Sequence, residues 1–213
     1  MRVIAHDLNG PLTGMNLTLQ ACRKLASTDA MRQLLNALAT DLTSATDLLE
    51  ELKSLNRRDT FRMQKIDLVA EMKALIDQVQ SNPRVPIFID LVDSNEKLTI
   101  AGDISRLRRA WQNIIRNTID TAEARKDGER VALQVSMKRS GASARIRFSD
   151  NGGGIDRRRV ARLFEPFYTT KGEKNRGLGL FIARKIVIEH HGKIRVSSKK
   201  PMTRVTIDLP ALP

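Results

Sequence analysis

The spacing of apolar residues changes near residue 60, and that change alone divides the chain in two. Up to that point apolar residues recur at intervals of three and four, the period of one helix face. Ile4, Leu8, Leu12, Met15, Leu19 and Cys22 mark one such face. Leu35, Leu38, Leu42, Ala45, Leu49 and Leu52 mark a second, widened by Leu34, Leu48 and Leu55. The second seam has coiled-coil character. Residues 27–30 (STDA) between them read as a turn with a cap for the second helix. Pro11, inside the first pattern, removes a backbone donor and is expected to bend or weaken the helix, with Gly10 adding local freedom. The spacing therefore predicts an antiparallel helical hairpin over 1–60. A lone hairpin has too little core to be stable. Two copies would complete a four-helix bundle, so a homodimer is expected; the alternative is that the hairpin packs on the rest of its own chain. Cys22, the only cysteine, lies in the apolar stripe and reads as a small core hydrophobe. Neither an internal disulfide nor a cysteine-based metal cluster is open to a chain with one cysteine.

From residue 61 the pattern is mixed. Short strands are predicted at 61–66, 87–92 and 97–101, with a helix over 67–80 turning Leu68, Met72, Leu75, Ile76 and Val79 inward. Asp103 reads as the N-cap of a long helix over about 104–125, and Asp127-Gly128 as a turn. Alternating strands near 130–138 and 143–149 follow, then a short helix at 156–164 and a long one at 178–191. Strands near 193–198 and 203–209 close the pattern. The expected class is α+β: the hairpin, then a 61–213 domain with one mixed sheet covered on one face by three helices.

Charge follows the same division. Residues 1–60 carry seven basic and seven acidic side chains, so the whole net charge of +13 lies in 61–213. Such a domain attracts anions. One Trp, one Tyr and no interleaved basic–aromatic motif argue against a specific nucleic-acid surface. Nucleotide phosphates and an acidic partner explain the charge equally well. The chain start is not a signal peptide, and no apolar run approaches the roughly 20 residues that span a bilayer, so a cytoplasmic protein is expected.

Four clusters in 61–213 carry chemistry. Asn113 and Asn117 are four apart and share a helix face, where a carboxamide can hold a metal or its water without adding charge. Asp150-Asn151-Gly152-Gly153-Gly154 follows a strand; its glycines permit close backbone approach, and a carboxylate there can accept from an amino group such as that of adenine. In Phe164-Glu165-Pro166-Phe167-Tyr168-Thr169-Thr170-Lys171 the aromatics can pin the base of a polar segment, and Lys171 can reach phosphates. Gly177-Leu178-Gly179-Leu180 opens a helix, where exposed N–H groups form a phosphate site. No Walker-type G-x-x-x-x-G-K-[ST] is present.

In this order the clusters resemble the sensor histidine kinases of two-component signalling. HDLNGPL (6–12) resembles their phosphoacceptor box, NIIRNTIDTA (113–122) the N box and DNGGG (150–154) the first glycine box. FEPFYTTK (164–171) resembles the F box, RGLGLFIARKIVIEHHGKI (176–194) the second glycine box and its helix, and TRVTIDLP (203–210) the closing strand. The resemblance runs nearly end to end. It implies a dimerisation and histidine-phosphotransfer hairpin followed by a Bergerat-type ATP-binding sandwich. It implies autophosphorylation of His6 by ATP, with Asp7 orienting the imidazole, and transfer of the phosphate to the receiver domain of a response regulator. Asn117 would coordinate Mg²⁺ and Asn113 would lie beside the phosphates. Asp150 would recognise adenine, with Gly152 and Gly154 shaping its loop. Lys171 and Arg176 would reach the phosphate tail, and Gly177 and Gly179 would form the far hinge of a short lid.

The chain departs from the family pattern at three places. Gly10 stands where members that also dephosphorylate their partner often carry Thr or Asn, so phosphatase activity is not implied. Thr118 replaces a common Ala. Lys200-Pro201-Met202 replaces a glycine-rich turn, which is expected to lie outside the phosphate motifs at little catalytic cost. Asn113 stands where related ATPases place a glutamate base, which argues against steady ATP hydrolysis. A non-catalytic phosphotransfer scaffold is the remaining alternative, and the intact boxes argue against it. His190 and His191 read only as favourable charge at a helix C-terminus. With His6 so near the start, a sensor domain is expected to be separate or deleted.

Overall fold

A computed structural model describes residues 2–26, 28–36, 38–39, 42, 61–83, 85–92, 97–125, 129–169 and 177–213, the side chains of 2–11 and of Leu25 excepted. The chain divides into two compact units, Met1–Thr60 and Phe61–Pro213.

In the first unit, α1 (Arg2–Leu25) runs through Gly10 and Pro11 as one helix. The expected weak point does not end it, since a proline costs a helix one backbone hydrogen bond and the turns on either side hold. Helix resumes at 29–36. Thr28 caps it: Met31 N–H donates to Thr28 Oγ1 at 3.2 Å, and Arg32 N–H to the Thr28 carbonyl at 3.1 Å. Arg23 of α1 donates to Asn36 Oδ1, tying the two helical segments together. Leu19 and Leu42 are buried, whereas Met15, Leu17, Met31, Leu34 and Leu38 are exposed, Leu34 to 70%. Cys22, of the same stripe as Met15, is also exposed in the single chain. A stripe is buried only if something covers it, and one hairpin has too little of its own to do so. Ala45, Leu48, Leu49, Leu52 and Leu55 of the expected seam lie outside the described residues.

In the second unit the order is β1 (Gln64–Asp67), α2 (Leu68–Gln80), β2 (Ile87–Val92), β3 (Thr99–Gly102), α3 (Ile104–Ala124), β4 (Val131–Ser140) and β5 (Ser143–Asp150). It continues with α4 (Arg157–Val160), α5 (Gly179–Glu189), β6 (Lys193–Lys199) and β7 (Met202–Pro210). Asp67 caps α2, its Oδ1 accepting from Val69 and Ala70 N–H. Leu68, Met72, Leu75 and Ile76 turn inward as expected, and Val79 is only half-buried. The Asp127-Gly128 turn lies outside the described residues.

The expected single sheet is in fact two. Five strands run in the order β2-β4-β5-β7-β6, with β2 parallel to β4 and every other pairing antiparallel. β1 and β3 form a separate antiparallel pair, Ile66 opposite Ile100. Strand patterns reveal which segments extend, not which edges meet. The two sheets join at the chain end, where Ala211 bridges Ile100 and Leu212 N–H donates to the Thr99 carbonyl at 2.7 Å. On one face of the large sheet Leu133, Val135, Ile146, Phe148, Val205 and Ile207 are buried beneath the helices. α3 and α5 also pack on each other; Leu107, Trp111, Ile114 and Ile115 of α3 and Ile182, Ala183 and Ile186 of α5 are buried. No helix among the described residues is long and apolar enough to cross a membrane.

Candidate active site

α3 carries the first elements of the site. Its N-cap is Asp103, whose Oδ1 accepts from Arg106 N–H at 3.2 Å. With Leu107, Trp111, Ile114 and Ile115 buried, Asn113, Asn117 and Thr121 recur every fourth residue along a neighbouring, half-buried face. Asn113 Nδ2 is buried and has no hydrogen-bond partner. Buried donors are nearly always paired, so this amide is a candidate point of contact for a ligand. Thr121 Oγ1 donates to the Asn117 carbonyl at 2.8 Å, which turns the Thr121 methyl toward the end of β5.

Asp150 ends β5 on the helix-facing side, in phase with the buried Ile146 and Phe148. Its Oδ1 accepts from Gly152 N–H at 2.9 Å. A Cβ at residue 152 would lie 2.6 Å from Thr121 Cγ2 and 2.9 Å from Asp150 Oδ1, so only glycine lets this turn close against α3. Asn151 anchors the turn to β4, its Oδ1 accepting from Ala132 N–H at 2.8 Å. Gly153 N–H donates to the Pro201 carbonyl at 3.0 Å, and Ile155 N–H to Ser198 Oγ at 2.7 Å. Gly154 lies against Lys200. The Lys200-Pro201-Met202 turn is therefore part of the support of the 150–154 loop, and strand pairing β6–β7 carries it there.

The second glycine segment meets the same region. α5 begins at Gly179 with no side-chain cap, so the N–H groups of its first turn are left for an anion. A Cβ on Gly179 would sit 3.7 Å from that of Asn113. Gly177 has φ +67°, and a Cβ there would lie 2.5 Å from the Tyr168 carbonyl, so the FEPFYTTK segment and the start of α5 touch. Two of the three aromatics pin that segment: Arg162 lies over Tyr168 at 4.3 Å and Arg184 over Phe164 at 5.3 Å. Phe167 does not pin it; a left-handed backbone (φ 64°) leaves its side chain exposed. Lys171 and Arg176 lie outside the described residues, and of His6 and Asp7 only the helical backbone is described.

The fold thus brings together Asn113, Asn117, Asp150, Gly152, Gly154, Gly177 and Gly179. To these it adds Thr121, Ser198 and Pro201. Thr121 continues the four-residue spacing of the asparagines, a signal present in the sequence. Ser198 and Pro201 arrive through strand pairing, which leaves no local signal. No group of three or more His, Cys, Asp or Glu side chains able to hold a metal occurs among the described residues. A magnesium ion held by substrate phosphates and one carboxamide needs none.

His190 is more than a favourable charge at a helix end. It is 3% exposed, its Nδ1 donates to the Ile186 carbonyl at 2.7 Å, and its Nε2 accepts from Asp103 N–H at 2.9 Å. Burial pushes its pKa below the ordinary 6.5, so it is neutral. The Phe61 ring packs against it, centroids 4.6 Å apart and planes tilted by 52°, and Arg62 N–H donates to Asp103 Oδ2 at 3.1 Å. The first residues of the second unit are thereby fastened to α3 and α5. Periodicity places His190 correctly at the end of the helix but says nothing of the Asp103 amide that awaits it.

A mixed sheet under an asparagine-bearing helix and two glycine turns defines a class of ATP-binding domain. Residues 102–213 match the Histidine kinase-, DNA gyrase B-, and HSP90-like ATPase family, and residues 1–61 match the His Kinase A (phospho-acceptor) domain. The chain belongs to the sensor histidine kinases, as their catalytic core. It is 28% identical to the signal transduction histidine-protein kinase AtoS of Escherichia coli over 93% of its own length and 32% of that protein's. It is 26% identical to sporulation kinase B of Bacillus subtilis, over 98% of its own length and 48% of that protein's. The chain thus spans about 32% and 48% of the length of these two curated relatives. Among solved structures, full-length ShkA in complex with AMPPNP superposes with a TM-score of 0.79 at 19% identity, over 98% of this chain and 45% of ShkA. Histidine kinase ThkA in complex with the response regulator TrrA gives 0.71 at 19% identity, over 98% of this chain and 60% of that one.

Proposed function

We propose that residues 61–213 bind ATP and Mg²⁺, that His6 of the 1–60 unit takes the γ-phosphoryl group, and that an aspartate of a response regulator's receiver domain then receives it. The observation that carries this reading is the buried, unpartnered Asn113 amide beside Gly179 at the uncapped start of α5. Asparagine amides and helix N–H groups converge there on a place suited to phosphate oxygens. Asp150 accepts from an exocyclic amino group of the base, while Gly152 keeps the loop against α3. Asn117 offers its carboxamide oxygen to magnesium, and Lys171 and Arg176 offer charge to the phosphate tail. Bound Mg²⁺ neutralises triphosphate charge.

At His6 a neutral imidazole nitrogen forms the N–P bond as the bond from phosphorus to the ADP oxygen breaks. Asp7 orients the ring and takes the proton from its other nitrogen. The structures of ShkA with AMPPNP and ThkA with its response regulator support both halves of the reading by likeness of fold. The exposed apolar side chains of the first unit support a homodimer joined through a four-helix bundle.

The direct test is incubation with γ-labelled ATP and Mg²⁺. Acid-labile, alkali-stable label is expected on the wild-type chain and background levels on His6→Gln and Asn117→Ala. Label persisting on His6→Gln would move the acceptor elsewhere. Failure of the wild-type chain to bind ATP would leave the phosphotransfer scaffold as the better account.

A further inference from the structure

Part of the positive charge of the second unit lies away from the residues proposed to bind the nucleotide. Asp150, Asn113 and Gly179 lie on the helix side of the large sheet. On the opposite side the outward positions of the strands carry Arg145, Arg147, Lys193, Arg195, Lys199 and Arg204. Register sets them in straight rows. Arg147 lines up with Ser136, Thr206 and Arg195, and one row away Arg145 lines up with Asp208 and Lys193. Asp208 is the one acid among them on β4 to β7, and Arg145 and Arg195 both ion-pair with it. Burial alone would raise its pKa, but those two guanidiniums outweigh burial and hold it below the ordinary carboxylate range. Arg147 Nε is buried without a hydrogen-bond partner at the middle of the face. At the β2 edge of the same face Phe88 and Val92 are exposed on either side of Asp90, a second acid on this face, whose Oδ2 accepts from Gln134 Nε2 at 3.4 Å, and Val92 stands in the Arg147 row.

This pattern selects its partner. A second copy would bring like charge against like charge. Protein interfaces are depleted of charge at their centres and bury about 800 Å² a side. Here the charge is central, which an interface of that kind disfavours. Nucleic acid would meet one exposed ring, Phe88 at the β2 edge, and no aromatic platform within the cation rows on which successive bases could stack. An extended anionic surface engages the whole array without desolvating it, and a nearby apolar layer gives Phe88 and Val92 a place to enter. We propose that the open face of the β2-β4-β5-β7-β6 sheet docks on an anionic lipid bilayer, held by the cation rows and seated at the β2 edge by Phe88 and Val92.

The test uses the full chain with vesicles of phosphatidylcholine alone and of phosphatidylcholine mixed with phosphatidylglycerol. Co-sedimentation is expected with the mixed vesicles only and should weaken as salt is raised. The triple variant Arg147→Gln/Lys193→Gln/Arg204→Gln should bind roughly a hundredfold more weakly. Arg147→Lys/Arg204→Lys, which keeps the charge, should bind like wild type. Phe88→Ser should bind several-fold more weakly at unchanged salt dependence. Thermal melting of each variant reports folding separately. Equal binding to both vesicle types would overturn the proposal. So would full binding by a folded triple variant, or a preference for polyglutamate or duplex DNA over the mixed vesicles.

Discussion

At residue 152 the backbone and the neighbouring helix leave no room for a side chain. A methyl group there would meet Thr121 Cγ2 at 2.6 Å and Asp150 Oδ1 at 2.9 Å. Neither belongs to a long flexible chain that can swing away. Gly152→Ala must therefore push the turn off α3 or turn the Asp150 carboxylate. Overpacking of this kind costs about 1–3 kcal/mol, so nucleotide affinity measured by calorimetry should fall about tenfold or more. Adding Thr121→Ser removes the nearer obstacle and should recover part of the loss; no recovery would mean the damage runs through Asp150 alone. His190 belongs to the same scale. Its imidazole accepts from the Asp103 amide, which it can do only while neutral, and Asp103, Glu189 and Arg106 are the charged groups around it. Because its folded pKa lies below the ordinary 6.5, the unfolded chain takes up the proton first as pH falls. Its contribution to stability is complete above that value and declines as pH drops from there toward the folded pKa. Melting temperatures followed from neutral to mildly acid pH should show this slope in wild type and a shallower one in His190→Gln.

At the scale of elements, α3 was the most legible part of the chain. Asp103 announces its start, the inward apolar set holds one phase along it, and the functional residues share a single face. α5 was nearly as clear, bounded by Gly179 and Gly192, although its end holds His191 in the left-handed conformation where a glycine is common. Strand positions were readable to within a few residues from alternation. Their partners were not, because pairing depends on edges far apart in sequence. Thus the β1–β3 pair and the role of Pro201 at Gly153 appear only in three dimensions. Cys22 is exposed in the single chain for a different reason: its stripe is real, but burial depends on what lies opposite. Leu34 carries the same lesson forward. At 70% exposure it occupies no position that one chain needs apolar. Leu34→Glu should leave the helical content unchanged and shift the sedimentation coefficient from dimer toward monomer. An unchanged coefficient would remove Leu34 from the dimer contact.

For the whole molecule, the two units differ in how far apart in sequence their contacts lie. The helical unit is built from neighbours along the chain. The sheet unit has β7 in its interior, between β5 and β6, and seals β3 with Ala211 and Leu212. During synthesis, then, the two cannot mature together. Helices of the first unit can form as they leave the ribosome, whereas the sheet stays incomplete until residues 202–212 have emerged. For that interval β5 offers an open edge of unpaired backbone groups, and the nascent chain must be shielded or fold quickly once the last strand is free.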